Sequence, residues 1–176
     1  MRGEGLRLLT VALVGASTVG APAQEDKLDA EALHGRDRAA LLIIRTVLLA
    51  EKQLAMRNGG LYGPFECLTR PETCFPDFPK DDAPFLDPTY EWLEPRLGYE
   101  RRFHPGPKAT EDELRRAKAV PDSLKAFAFT AVPVKPGETG LRAYCGDASG
   151  KICFTPDGAP PGIREGRCVP PCKELK

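Results

Sequence analysis

Between Asp29 and Gly60 the chain reads DAEALHGRDRAALLIIRTVLLAEKQLAMRNGG, and this stretch limits the possible folds more than any other. Leu41, Ile44, Val47, Leu48, Leu54 and Ala55 recur at three- and four-residue spacing, which places them on one face of a helix. Asp29 suits the helix cap, Arg57 complements the negative end of the dipole, and Asn58, Gly59 and Gly60 supply a left-handed stop. Gly35 costs about 1 kcal/mol relative to alanine in a helix, so the regular part is expected over about 36–58. Such a helix needs a partner surface for its apolar face.

That partner is a sheet. The chain has 18 prolines and 17 glycines, most of them after residue 59, so a loop-rich body follows the helix. Pro64, Pro71, Pro76, Pro79, Pro84, Pro88 and Pro95 forbid a long helix or a central strand there. The segment is expected to wrap over the core and bury Phe65, Phe85 and Trp92. Strand patterns then appear in GYERRF from Gly98, and in AFAFTAVPV, LRAYCG and KICFTP, rich in aromatic and β-branched residues. The expectation is an α+β fold: one long N-terminal amphipathic helix packed on a small antiparallel sheet of about four strands, over about 98–155, with disulfide-stapled connections. A tail, 156–176, ends the chain. A surface helical insertion is expected over about 110–119, where Thr110 and Glu113 form a capping box and Glu111–Arg115 and Asp112–Arg116 are four apart. Pro121 ends it, and with only Leu114 and two alanines to bury it is a solvated element.

The first residues place Arg2 and Arg7 before an apolar run from Leu8 to Val19, followed by Ala21, Pro22 and Ala23. That is the pattern of a secretory signal peptide, 1–23, leaving a single domain over 24–176, exported to the periplasm or beyond the cell. The run is too short for stable membrane insertion. Export makes the even number of cysteines a disulfide set: Cys67, Cys74, Cys145, Cys153, Cys168 and Cys172. The simplest pairing closes three local loops, Cys67–Cys74, Cys145–Cys153 and Cys168–Cys172. The middle pair follows from a three-residue hairpin loop over Ala148, Ser149 and Gly150, which sets Cys145 opposite Cys153 and makes Asp147 and Ser149 turn residues.

Charge and motif content argue against several functions. With 25 basic and 25 acidic residues there is no global field for nucleic acid or an anionic membrane. His34 and His104 have no neighbouring nucleophile pattern, Glu91 and Glu94 beside Trp92 are a chance spacing, and no phosphate-binding glycine loop is present. No enzyme activity, cofactor or metal is expected. Arg115, Arg116 and Arg164, on the insertion and the tail, are the candidate partner-docking residues.

The order of these pieces resembles the globular head of type IV pilin-like proteins, including type II secretion pseudopilins: RTVLLAEKQLAMRNGGLYG, a proline-rich connection with FLDP, then GYERRF, then AFAFTAVPVKPGETGLRAYCGDASGKI. The resemblance covers roughly 36–158 and implies a helix leaning on an antiparallel sheet, with other pilin-like or secretion-system envelope proteins as partners. The usual prepilin leader and filament helix have no counterpart here. Asp147 and Asp157 do not match the calcium loop the resemblance implies for major pseudopilins. Because the helix spends its apolar face on its own sheet, it is expected to have no second face for neighbours, and the exported chain is expected not to polymerise.

Overall fold

The computed structural model describes residues 22–91 and 97–175, with side chains over 30–90 and 97–175. The expected leader up to residue 21, Trp92 and Glu94 lie outside the described residues, and of Glu91 only the backbone is described. Helix α1 spans Pro22–Arg57, so it starts well before Arg36, and Asp29 is interior to it rather than its cap. Proline suits the first turn of a helix, where its missing N–H has no acceptor in any case. The cost of Gly35 is local and small beside the alanine, leucine and glutamate residues around it. At the other end Gly60 N donates to Ala55 O at 2.8 Å and Gly59 takes φ of +62°, which is the expected glycine stop.

One stripe of α1 is buried: Asp37, Ala40, Ile44, Val47, Glu51, Leu54 and, just past the helix, Asn58, alternately three and four apart. It lies on a five-stranded antiparallel sheet ordered β1–β2–β3–β4–β7, comprising β1 (Tyr99–Pro105), β2 (Phe127–Pro133), β3 (Ala143–Asp147), β4 (Ile152–Thr155) and β7 (Lys173–Glu174). The first four are the expected strands. The fifth is a correction: the tail returns to pair Lys173 with Phe154 and Glu174 with Cys153. Two residues are too short to show an alternating pattern, so only tertiary pairing reveals this strand. A further hairpin, β5 (Gly162–Arg164) with β6 (Arg167–Val169), forms a separate two-stranded sheet.

Strand register sorts the side chains. Phe103, Phe129, Gly146 and Ile152 form one cross-strand row on the side of α1. A Cβ at Gly146 would lie 2.6 Å from Ile44 Cγ2, so glycine here is what lets helix and sheet approach. Arg102, Thr130, Cys145 and Cys153 form the next row, on the opposite side. The tail crosses that opposite side over β3, which is why every residue of β3 is buried. The sheet is therefore covered by α1 on one face and by the disulfide-held tail on the other.

The disulfides are Cys67–Cys74, Cys145–Cys168 and Cys153–Cys172. The first is as expected; the other two replace the expected Cys145–Cys153 and Cys168–Cys172. Cys145 does sit directly opposite Cys153, as the hairpin predicts, yet each bonds to the tail lying across them. Proximity in sequence lost to proximity in space, and the larger loops, with separations of 23 and 19 residues, restrict the unfolded chain more than the local ones would. Peptide mapping of the non-reduced protein is expected to recover these three pairs. Replacing Cys145 and Cys168 together by serine is expected to cost about 3 kcal/mol in the loop-entropy account, read as a fall in Tm. A Cys145–Cys153 peptide in the untreated protein would contradict this arrangement.

The proline-rich connection holds α2 (Phe65–Thr69) and 3-10 turns at Pro71–Thr73 and Pro88–Glu91. Phe65 and Phe85 are half-buried and pack on the core with Phe75, and Phe65 stacks on Phe129 at 5.9 Å. The insertion is α3 (Glu111–Ala117), with the capping box of Thr110 and Glu113 in place and a left-handed end at Lys118, ahead of Pro121. Its charge pairing differs from expectation. Arg115 pairs with Asp112 one turn back, and Arg116 Nε donates to the Asp112 carbonyl.

Candidate functional site

The polar members of the buried α1 stripe are anchors for loops. Asp37 Oδ1 accepts from the Tyr99 hydroxyl at 2.5 Å and from Leu141 N at 2.9 Å. Burial, and then donation to Asp37, push the Tyr99 phenol well above its usual range. Asn58 donates to Ser123 Oγ at 2.8 Å and to Leu61 O at 3.0 Å, and accepts from Val120 N at 2.9 Å. Glu51, fully buried, accepts from Gly63 N at 3.1 Å through Oε2, while Oε1 has no hydrogen-bond partner among the described residues. Burial pushes its carboxyl up to about 8, against the opposing pull of the Gly63 N–H. The sequence carried a signal for this set, since Asp37, Glu51 and Asn58 fall on the same three-four alternation as Ile44 and Val47; a stripe traced through the apolar residues alone does not include them.

A perturbed buried acid is a common mark of catalysis. Glu51, however, lines neither the pocket on the sheet's outer side nor the grooves beside α1. The outer pocket, of about 140 Å³, is lined by Glu100, Arg102, His104, Thr130, Val132, Pro160 and Pro161. His104 Nε2 lies 2.9 Å from Thr130 Oγ1, and Arg102 pairs with Glu100 at 2.9 Å. Burial, followed by the charge of Arg102, lowers the His104 pKa. His34 is exposed on α1. Asp147 is a buried turn former that also holds the tail: Oδ1 accepts from Ser149 N and Oγ, and Oδ2 from Cys168 N at 2.9 Å. Asp157 likewise accepts from Ala159 N.

The expected docking arginines lie on two elements. Arg115 and Arg116 stand exposed on α3 and Arg164 is exposed on the β5–β6 hairpin, and among the described residues no hydrogen bond or ion pair joins the two elements. The surface that does stand out is the face of α1 turned away from the sheet. Leu42, Leu49 and Met56 are 63, 57 and 74 % exposed there, seven residues apart and so about 10.5 Å apart along the axis. Each follows a cation by four residues, Arg38, Arg45 and Lys52, all exposed. This corrects the expectation that α1 has no second face. An apolar residue every seventh position is too sparse to show against the denser core stripe, and only the packed sheet reveals which leucines it leaves uncovered.

Among the described residues no helix is long and apolar enough to cross a membrane. No protein-family model, no curated protein and no solved structure matches this chain.

Proposed function

We propose that this chain is an exported, non-enzymatic structural or interaction protein with a pilin-like head, working alongside a type IV pilus or type II secretion type system. The observation that supports it is the uncovered ladder on α1, a solvent-facing row of large apolar side chains on a helix whose other face is fully used by the sheet. The leader pattern of Leu8–Val19 followed by Ala21, Pro22 and Ala23 supports export. So does the bonding of all six cysteines, the state that oxidising compartments sustain. A second reading, a secreted binding module for an unrelated ligand, is favoured by the small outer pocket around His104 and Thr130.

The two readings differ in what the protein captures. The tagged chain, crosslinked in its own cells and purified from the envelope, is expected to bring down pilin-like or secretion-system proteins. Recovery only of a soluble ligand or of proteins unrelated to those systems would overturn the first reading in favour of the second.

A further inference from the structure

Resting on the reading of this chain as an interaction protein, we infer that the outer face of α1 docks an acidic, heptad-patterned helix of a partner protein. The two exposed rows share one period. In coiled-coil terms Leu42, Leu49 and Met56 occupy one seam position, and Arg38, Arg45 and Lys52 the other, four residues before each. The pattern holds over three successive heptads, about 27 Å of helix from Arg38 to Met56. A period of seven is what keeps a seam turned toward a partner helix.

Charge selects the kind of partner. The chain is neutral overall, but between Ala32 and Arg57 every exposed ionised residue of α1 is a cation: Arg36, Arg38, Arg45, Lys52 and Arg57. The two acids in that span, Asp37 and Glu51, are buried. Arg57 is paired with Asp82 and Arg36 donates to Glu138 O. Arg38, Arg45 and Lys52 have no hydrogen bond or ion pair among the described residues, so the seam cations are available to a partner.

A second copy of this chain is a poor occupant, because a parallel pairing sets Arg38, Arg45 and Lys52 against the same cations, which repel at a seam, and an antiparallel one sets them against the copy's apolar row with no counter-charge. An anionic lipid surface fits less well. The apolar row is one residue wide, bordered by the cations on one side and Thr46 and Gln53 on the other, whereas interfacial helices sink a broad apolar face and need no heptad register. A helix with Leu or Ile at one seam position and Glu or Asp at the other satisfies both rows at once.

The test uses the disulfide-bonded protein and two labelled three-heptad helical peptides, identical except that one carries Glu and the other Lys at the charged seam position. Anisotropy titration at low salt is expected to show at least ten-fold tighter binding of the Glu peptide. L49D should weaken it at least ten-fold without moving the Tm, and the triple variant R38E/R45E/K52E should reverse the preference towards the Lys peptide. Equal affinity for the two peptides, no binding of either, or no reversal in the triple variant overturns the proposal. So does retention on phosphatidylglycerol vesicles without discrimination between the peptides, which would make the face a lipid-binding one. Failure here, with pilin-like proteins still recovered by crosslinking, would move the docking surface elsewhere and leave the proposed function standing.

Discussion

Ile44→Asp is expected to abolish cooperative folding. Ile44 is fully buried, midway along the core stripe of α1, and its Cγ2 occupies the space that Gly146 leaves open on β3. A carboxylate there would replace a member of the apolar core cluster that also holds Val47, Leu54 and Phe129. Burying an unpaired charge costs several kcal/mol, against a total stability of about 5 to 15 kcal/mol for a domain of this size. The variant should be recovered as aggregate or lack a thermal transition. Ile44→Ala, which only opens a cavity, should fold with a loss of about 2 to 5 kcal/mol. Arg38→Asp, on the exposed face, should stay within about 0.5 kcal/mol of the parent. Equal melting temperatures for Ile44→Asp and Arg38→Asp would mean that α1 is not docked on the sheet.

The second large effect is a pH dependence set by Glu51. In the fold its carboxyl titrates near 8, raised by burial, whereas its ordinary value is 4.5. Between these two values the unfolded chain has lost the proton and the folded chain still holds it, so the unfolded state binds fewer protons and stability falls as pH rises. The full cost is reached above about pH 8 and is on the order of 5 kcal/mol, at about 1.4 kcal/mol for each pH interval of one between the two values. Below pH 4.5 it vanishes. Glu51→Gln keeps an oxygen for the Gly63 N–H and removes the ionisation, so it should be more stable than the parent at pH 8 and close to it at pH 5. His104 contributes with the opposite sign. Its lowered pKa disfavours the charged ring in the fold, so its share of stability is lost as pH falls below the ordinary histidine value of 6.5. The difference between parent and Glu51→Gln cancels that share. Melting curves of the two proteins that run parallel from pH 5 to pH 8 would show that Glu51 is not held protonated in the core.

Part of this was written in local sequence and part was not, and individual residues show where the boundary falls. The core face of α1 was legible because Leu41, Ile44, Val47, Leu48 and Leu54 repeat at the helical period, and tertiary packing used that face. The glycine stop after Arg57, the capping box of α3, the four longer strands and the hairpin with Gly150 in the left-handed region, at φ of +78°, were legible for the same reason. Each is decided by residues within a few positions of one another. The apolar repeat did not reveal Asp37 and Glu51, because a pattern traced through apolar residues alone passes over polar ones that share its phase. Both sit in the apolar repeat, and both are tolerated inside because backbone donors from distant loops, Leu141 N and Gly63 N, meet them there.

Local sequence by itself determined the helix, its buried face, the strand pattern and the register that sets Cys145 opposite Cys153. Those follow from backbone sterics, side-chain periodicity and turn geometry, which act over a few residues. Tertiary structure alone decided that Cys145 bonds Cys168 and Cys153 bonds Cys172, that Lys173 and Glu174 extend the sheet, and that Leu42, Leu49 and Met56 stay uncovered. These depend on where the tail and the sheet come to rest after the chain has closed loops tens of residues long. Once the tail lies across the sheet, cysteines remote in sequence are near enough to bond, and the sheet covers one side of α1 and no more.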